Sequence, residues 1–339
     1  MVGAMHLVKR RVERDNRLDP ISTIAYYYRV KAKSARKSYK QKKGGYKDWN
    51  QAAHCEEYLV FAENLTPHLA IDEVNFTQGE LYTFVSSRDR EGRAQKLVAM
   101  IRGTRSEDII NVLNRIALSK RLEVVEVSLD MASNMRKACE MAFPNATLVI
   151  DRFHVVRLVM DAMQHARIDQ RWKEIDKENE AIQQARSKGA RYKPLILSNG
   201  DTPKQLLARS RYLLYKLPSQ WTQSQLHRVG LLFQLYPSIE KAYRLAWDFR
   251  SIYNAYSKEK AIQLFQDWIR QAKEVEIDHF NTASEAVLNH FEGILAFFNN
   301  RSTNAHAESL NAQIKLFRAN LRGVSNTKLF LYRLQKVFA

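Results

Sequence analysis

A chain of 339 residues exceeds the size at which one hydrophobic core usually stays undivided, so two or more domains are expected. Its 45% hydrophobic content excludes general disorder, two lone cysteines (Cys55 and Cys139) exclude a disulfide framework and a zinc ribbon, and no apolar run reaches membrane-spanning length. The formal charge of +18 is concentrated at the ends: residues 1–50 hold 14 Lys+Arg against 4 Asp+Glu, and residues 301–339 hold 7 against 1.

Basic ends around a nearly neutral body point to a polyanion, nucleic acid phosphate above all, with solvated basic faces as the plain alternative. With no signal peptide either, a soluble cytoplasmic protein is expected.

The segment YYYRVKAKSARKSYKQKKGGYKDW is basic and rich in tyrosine, and it predicts helix as far as the Gly44–Gly45 break. AENLTPHLAIDEV leads into a short strand around Leu69 to Val74. GELYTFVSS and KLVAMI predict two further strands around the turn RDREGRA, which together give a three-stranded meander. RSEDIINVLNRIAL has acidic residues in its first turn and Ile109, Ile110, Leu113, Ile116 and Ala117 at helical spacing. The stretch EVVEVSLDMASNMRKACEMAFPNATLVIDRFHVVRL then repeats one pattern twice: a β-run, an aspartate (Asp130, then Asp151), and a helical run.

From about 160 to 298 the pattern is helical throughout and holds four of the five tryptophans, Trp172, Trp221, Trp247 and Trp268. These are expected in helical core, where Trp dominates burial. RSTNAHAESLNAQIKLFRANL predicts one basic helix with Ser302 or Thr303 as its N-cap.

Four carboxylates stand out. Asp72 falls in or just after the first strand, Asp130 ends the fourth, Asp151 ends the fifth, and Glu308 lies in the first turns of the last helix. Each has a structural explanation: Asp130 and Asp151 suit helix N-caps, and Glu308 suits a helix dipole. As a set they follow the element order of a ribonuclease H-like fold. The fold class expected is α/β, a ribonuclease H-like mixed five-stranded sheet flanked by helices and interrupted by a large all-α insertion.

AIDEV, VSLDMASNM, FPNATLVIDRFHVV and RSTNAHAESLNAQIK closely resemble DDE-type insertion-sequence transposases of bacteria, in the subgroup with a D-x-x-H motif after the second aspartate. The resemblance runs from about residue 55 to the C-terminus. It implies that Asp72, Asp130 and Glu308 are the catalytic carboxylates and hold two Mg²⁺ ions, with Mn²⁺ able to substitute. It also implies supporting roles for Asp151 and His154 of the D-x-x-H motif; a lone histidine three residues into a helix is otherwise a packed core residue.

In that fold the first and fourth strands are neighbours, about 4.8 Å apart, while the fifth lies about 10 Å from the first. Asp130 is therefore expected as a direct ligand and Asp151 is not. Glu73, beside Asp72, is expected on the opposite face of the strand.

The domains expected are a basic, mainly helical DNA-contacting segment (1–60), the first part of the catalytic core (61–165), an all-helical insertion (166–295), and the last core helix with the basic C-terminus (296–339). Lys31, Lys33, Arg36, Lys37, Lys315, Arg318 and Arg322 are the candidate DNA contacts.

The activity implied is metal-dependent cleavage and strand transfer at the ends of the chain's own element. The partners implied are the terminal inverted repeats and target DNA, a homo-oligomer on DNA, and a companion short DNA-binding protein, because residues 1–50 show no zinc ligands and at most part of a helix-turn-helix. The rival readings are a ribonuclease H-like nuclease or junction resolvase without strand transfer, and a catalytically idle DNA-binding remnant.

Overall fold

The computed structural model describes residues 7–8, 19–43, 45–76, 79–88, 96–301, 304–321, 324 and 326–339. The chain divides into two compact units, residues 1–151 with 302–339, and residues 152–301.

The first unit is built on a mixed sheet of six strands: β1 (Tyr58–Val60), β2 (His68–Asn75), β3 (Leu81–Ser87), β4 (Leu97–Arg102), β5 (Glu126–Leu129) and β6 (Thr147–Ile150). Their order across the sheet is β1-β4-β3-β2-β5-β6. The meander β2-β3-β4 is antiparallel, and β5 and β6 add to it in parallel. The sequence predicts five strands. The sixth, β1, is a three-residue edge strand pairing Tyr58 with Ile101 and Leu59 with Met100. Three residues are too few to carry an alternating signal, and it is the free edge of β4 that makes them a strand.

Helices α1 (Ile21–Tyr27) and α2 (Ala32–Ser38) form the N-terminal segment, and a short π-turn, Tyr39–Lys43, extends α2. Gly45 ends the run at φ 67°, a left-handed conformation that glycine adopts without steric cost. Two helices follow β4: α3 (Ser106–Leu113) and the short α4 (Leu118–Arg121). The expected single helix thus stops early, at Asn114. Helix α5 (Ser133–Ala142) joins β5 to β6. The buried stripes of α3 (Ile109, Leu113) and α5 (Met135, Ala138, Cys139) cover one face of the sheet.

The other face is closed by α13 (Ala305–Asn320) and α14 (Thr327–Phe338). α13 buries Ala307, Leu310, Ile314 and Phe317, a spacing of three or four that lays one apolar stripe against the sheet. Val74, Phe84, Met100, Ile314, Phe317, Phe330 and Tyr332 share one core with Ile24, Ala25, Ala35, Tyr39 and Trp49. The basic N-terminal segment is therefore anchored through its apolar side. Truncating Phe317, which is fully buried there, costs about 3–5 kcal/mol by the usual measure for an aromatic core residue.

The second unit is helical: α6 (Arg152–Ser187), α7 (Pro203–Arg209), α8 (Gln223–Leu235), α9 (Pro237–Ile252), α10 (Lys258–Glu274), α11 (Asp278–Asn289) and α12 (Phe291–Asn300). Its core is aromatic, with Phe249 and Trp268 ring centroids 4.5 Å apart and Tyr253 5.3 Å from Phe297. Three of its tryptophans direct their indole N–H inward: Trp221 donates to the Leu213 carbonyl, Trp247 to Leu214 and Trp268 to Leu245. Trp172 is 60% exposed. No helix among the described residues is long and apolar enough to cross a membrane.

Candidate active site

β2 and β5 run parallel in the pairs His68↔Glu126, Leu69↔Val127 and Ala70↔Ser128. The same offset carried two residues further sets Asp72 level with Asp130. β2 continues to Asn75, but β5 stops at Leu129, because Asp130 turns the chain: its Oδ1 accepts a hydrogen bond from the Ala132 amide at 2.8 Å. This is a local Asx-type turn. Asp130 is thus not the N-cap that the sequence suggests. That position is Ala132, which makes no side-chain cap.

Asp72 lies opposite Phe84 on β3, on the face that α13 covers. Its Oδ1 accepts from the Glu73 amide at 2.8 Å, and its Oδ2 accepts from Asn311 Nδ2 at 2.6 Å. Glu73, on the alternate face of the strand, neighbours Asp130 and Asn134. Burial raises its carboxyl pKa, the Asp130 charge adds to the rise, and a hydrogen bond from Asn134 opposes it. The residue that the sequence sets aside therefore belongs to the electrostatic surroundings of Asp130.

Asp151 follows β6 and is 2% exposed. Its amide donates to the Leu129 carbonyl at 2.8 Å, and its Oδ1 accepts from the Asn304 amide at 3.4 Å. Asn304 is the N-cap position of α13; Ser302 and Thr303, the caps expected, lie outside the described residues. Glu308 lies in the first turn of α13 and is exposed. Positions 304, 308 and 311 follow the i, i+4, i+7 rule, so Glu308 shares a flank of the helix with Asn304, whose backbone N–H reaches Asp151, and with Asn311, whose side chain reaches Asp72. Sequence reasoning missed Asn311, because a helical asparagine carries no spacing signature; its place on the Glu308 flank was the available clue. Among the described residues no three His, Cys, Asp or Glu side chains form a group that could hold a metal ion. His154, on α6, belongs to the second unit and is partly buried.

Lys31, Lys33, Arg36 and Lys37 are all exposed, at the start of α2 or along it. Lys315 is exposed seven residues beyond Glu308, on the same flank of α13. Arg318 is mostly buried, paired with Glu80, and its guanidinium sits 4.9 Å from the Phe76 ring centroid and 5.5 Å from that of Phe330. Arg322 lies outside the described residues.

The sequence profile of the ISL3 family, described as transposase, matches residues 69–334, from β2 into α14. The chain belongs to this family of bacterial insertion-sequence transposases of the DDE class. Relatives include the transposase for insertion sequence element IS1557 of Mycobacterium tuberculosis, 23% identical over 73% of this chain and 54% of the relative. Another is the transposase for insertion sequence element IS1001 of Bordetella parapertussis, 22% identical over 80% of this chain and 61% of the relative. The transposase described here therefore spans less than two thirds of the length of either. The matched segment takes in all four carboxylates and both asparagines of the α13 flank.

Proposed function

We propose that this transposase cleaves DNA at the ends of its own element and joins the freed 3′-hydroxyl to target DNA, with divalent ions held by Asp72, Asp130 and Glu308. The observation that carries the reading is the start of α13, where the Asn304 backbone N–H meets Asp151, the Asn311 side chain meets Asp72, and Glu308 lies between them in the chain. The donor set fits Mg²⁺ or Mn²⁺, since all three groups are carboxylates, the hard oxygen ligands these ions prefer. Bound there, two such ions would activate the attacking oxygen and stabilise charge on the leaving oxygen.

The chain's own residues supply orientation. Asn311 and the Glu73 amide fix the two oxygens of Asp72, and the Ala132 amide fixes Oδ1 of Asp130. Carboxylates held in this way before the substrate arrives lower the entropic cost of assembling the reacting groups. Glu308 is exposed, so it joins the aspartates as ions and DNA bind. Lys315 on the same flank, and Lys31, Lys33, Arg36 and Lys37 on the N-terminal segment, hold backbone phosphates. The proposed partners are the element's terminal repeats and target DNA. The chain acts there as a homo-oligomer, alongside a short companion protein that reads sequence.

The test is a joining assay. A duplex carrying the element's terminal repeat is incubated with supercoiled plasmid and Mg²⁺ or Mn²⁺, and joined products are scored. Joining supports the reading, cleavage without joining replaces it with a ribonuclease H-like nuclease, and no reaction with either ion overturns it.

A further inference from the structure

Within the first unit, the N-terminal segment and the C-terminal helices border a half-open cavity of about 210 Å³. Arg36, Lys37, Lys40 and Arg333 line it, and among the described residues no acidic side chain does. Arg333 is 3% exposed, and it is held in place by a hydrogen bond to the Asp19 carbonyl at 2.7 Å and by stacking 4.9 Å from the Phe317 ring centroid. Asp19 offsets part of the Arg333 charge, and an anion entering the cavity would be drawn to Arg36, Lys37 and Lys40. The rest of the lining is largely apolar, with Ile21, Leu329 and Phe330 forming a surface that inorganic phosphate would leave unused. Phe330 is itself braced by stacking on Phe317, centroids 5.7 Å apart. The volume falls below the roughly 300–1,000 Å³ of pockets that enclose drug-sized ligands, which suits a single nucleotide unit.

We propose that this cavity takes one unpaired nucleotide of a DNA strand, with its phosphate against Arg36, Lys37 and Lys40 and its base on the apolar side. The inference rests on the DNA-processing reading above, and it adds a site that distinguishes a single-stranded end from duplex. A base needs an apolar or aromatic surface of this kind, while the cations follow the backbone whatever the sequence. In an intact duplex the base is stacked and paired, so only the phosphate half of the site is usable.

The experiment uses the full chain in EDTA, so that binding is read without metal-dependent chemistry. Affinities are measured by anisotropy for a short single strand with 2-aminopurine at its end, and for a blunt duplex. Val324→Trp fills the cavity from its lining, and Lys40→Gln removes one cation without adding bulk. Val324→Trp should weaken single-strand binding about tenfold, the scale of removing one stacked base, and leave duplex binding unchanged, whereas Lys40→Gln should weaken single-strand and duplex binding alike. In the wild type, 2-aminopurine fluorescence should change on binding, and a deoxynucleoside monophosphate should compete far better than inorganic phosphate. The proposal is overturned if both variants bind the single strand like wild type, or if inorganic phosphate competes as well as the nucleotide. Failure of the joining assay with intact nucleotide binding would instead remove the strand-transfer reading and leave the site standing.

Discussion

Asn311 donates its side-chain amide to Oδ2 of Asp72 across 2.6 Å, from a helix position three residues beyond Glu308. The bond ties the strand that carries one proposed ligand to the helix that carries another. Asn311→Ala should leave the far-UV spectrum and duplex binding intact while lowering single-turnover cleavage about 10–100-fold, the usual scale for losing a group that orients a ligand. The divalent-ion concentration for half-maximal cleavage should rise as well. Wild-type rates and ion dependence in this variant would show that the bond has no part in the chemistry.

Phosphate binding by the N-terminal segment carries a salt signature. Lys31, Lys33, Arg36 and Lys37 are exposed, and replacing all four with Gln should weaken duplex binding. It should also flatten the plot of log affinity against log salt by about 0.9 for each phosphate no longer neutralised. Arg318→Gln should instead lower stability more than it changes the salt slope, because its guanidinium is paired with Glu80 and stacked between two rings. Equal slopes for wild type and the fourfold variant would remove these residues from the interface.

The chemistry-bearing positions are more legible in the sequence than the contacts that hold them. The run before Asp72 is readable because Leu69, Ala70 and Ile71 are buried in succession, the short continuous apolar run expected of a strand covered on both faces. Asp130 and Asp151 look alike locally, since each ends a β-run before a helix. Only the sheet order distinguishes them, with Asp130 ending the strand beside β2 and Asp151 ending the strand outside it. The N-cap expectation for Asp130 fails because its side chain closes a turn one step earlier, at Ala132. Helix α14 does not stand apart from the basic tail in the sequence, and its role shows only when Phe330, Leu334 and Phe338 meet partners from residues 21–49, which lie far away along the chain. Asn311 carries no signal alone, because a helical asparagine is neutral until a carboxylate stands opposite, and Asn304 meets Asp151 through a backbone N–H that any residue except proline would supply.

Trp172 is 60% exposed on α6, whereas Trp268 is buried and Trp221 and Trp247 are partly buried with their N–H groups bonded to carbonyls. Iodide should quench one well-exposed component of the tryptophan fluorescence, and Trp172→Phe should abolish it. If single-stranded DNA also protects this component, Trp172 contacts bases; protection by neither single strand nor duplex would leave it a bare surface residue.

Asp201 ties the helical unit together. Its fully buried carboxylate pairs with Arg209 and with Arg228 at 3.0 Å, and accepts from Asn199 at 2.8 Å. Burial pushes its pKa up, but the two arginines outweigh burial and hold it below the ordinary 3.8. A depressed carboxylate pKa gives stability that is present above pH 3.8 and lost as the pH falls through the folded value. Asp201→Asn should destabilise the folded chain at neutral pH by about 3 kcal/mol, the low end for a broken buried pair because Arg209 is more than half exposed. The gap from wild type should narrow as the pH falls below 3.8. A gap that is constant with pH would assign the loss to packing.

The central claim is that Asp72, Asp130 and Glu308 carry the cleavage and Asp151 supports it. The most direct measurement is single-turnover cleavage of an element-end duplex in Mg²⁺ and in Mn²⁺ by Asp72→Asn, Asp130→Asn, Glu308→Gln and Asp151→Asn, with folding checked by far-UV spectrum. The first three should show no cleavage with either ion. Asp151→Asn should retain cleavage reduced about 10–100-fold, and on the D-x-x-H pattern alone His154→Ala should match it. Wild-type cleavage by any of the first three would contradict the account, and so would complete loss in Asp151→Asn alongside activity in Asp130→Asn.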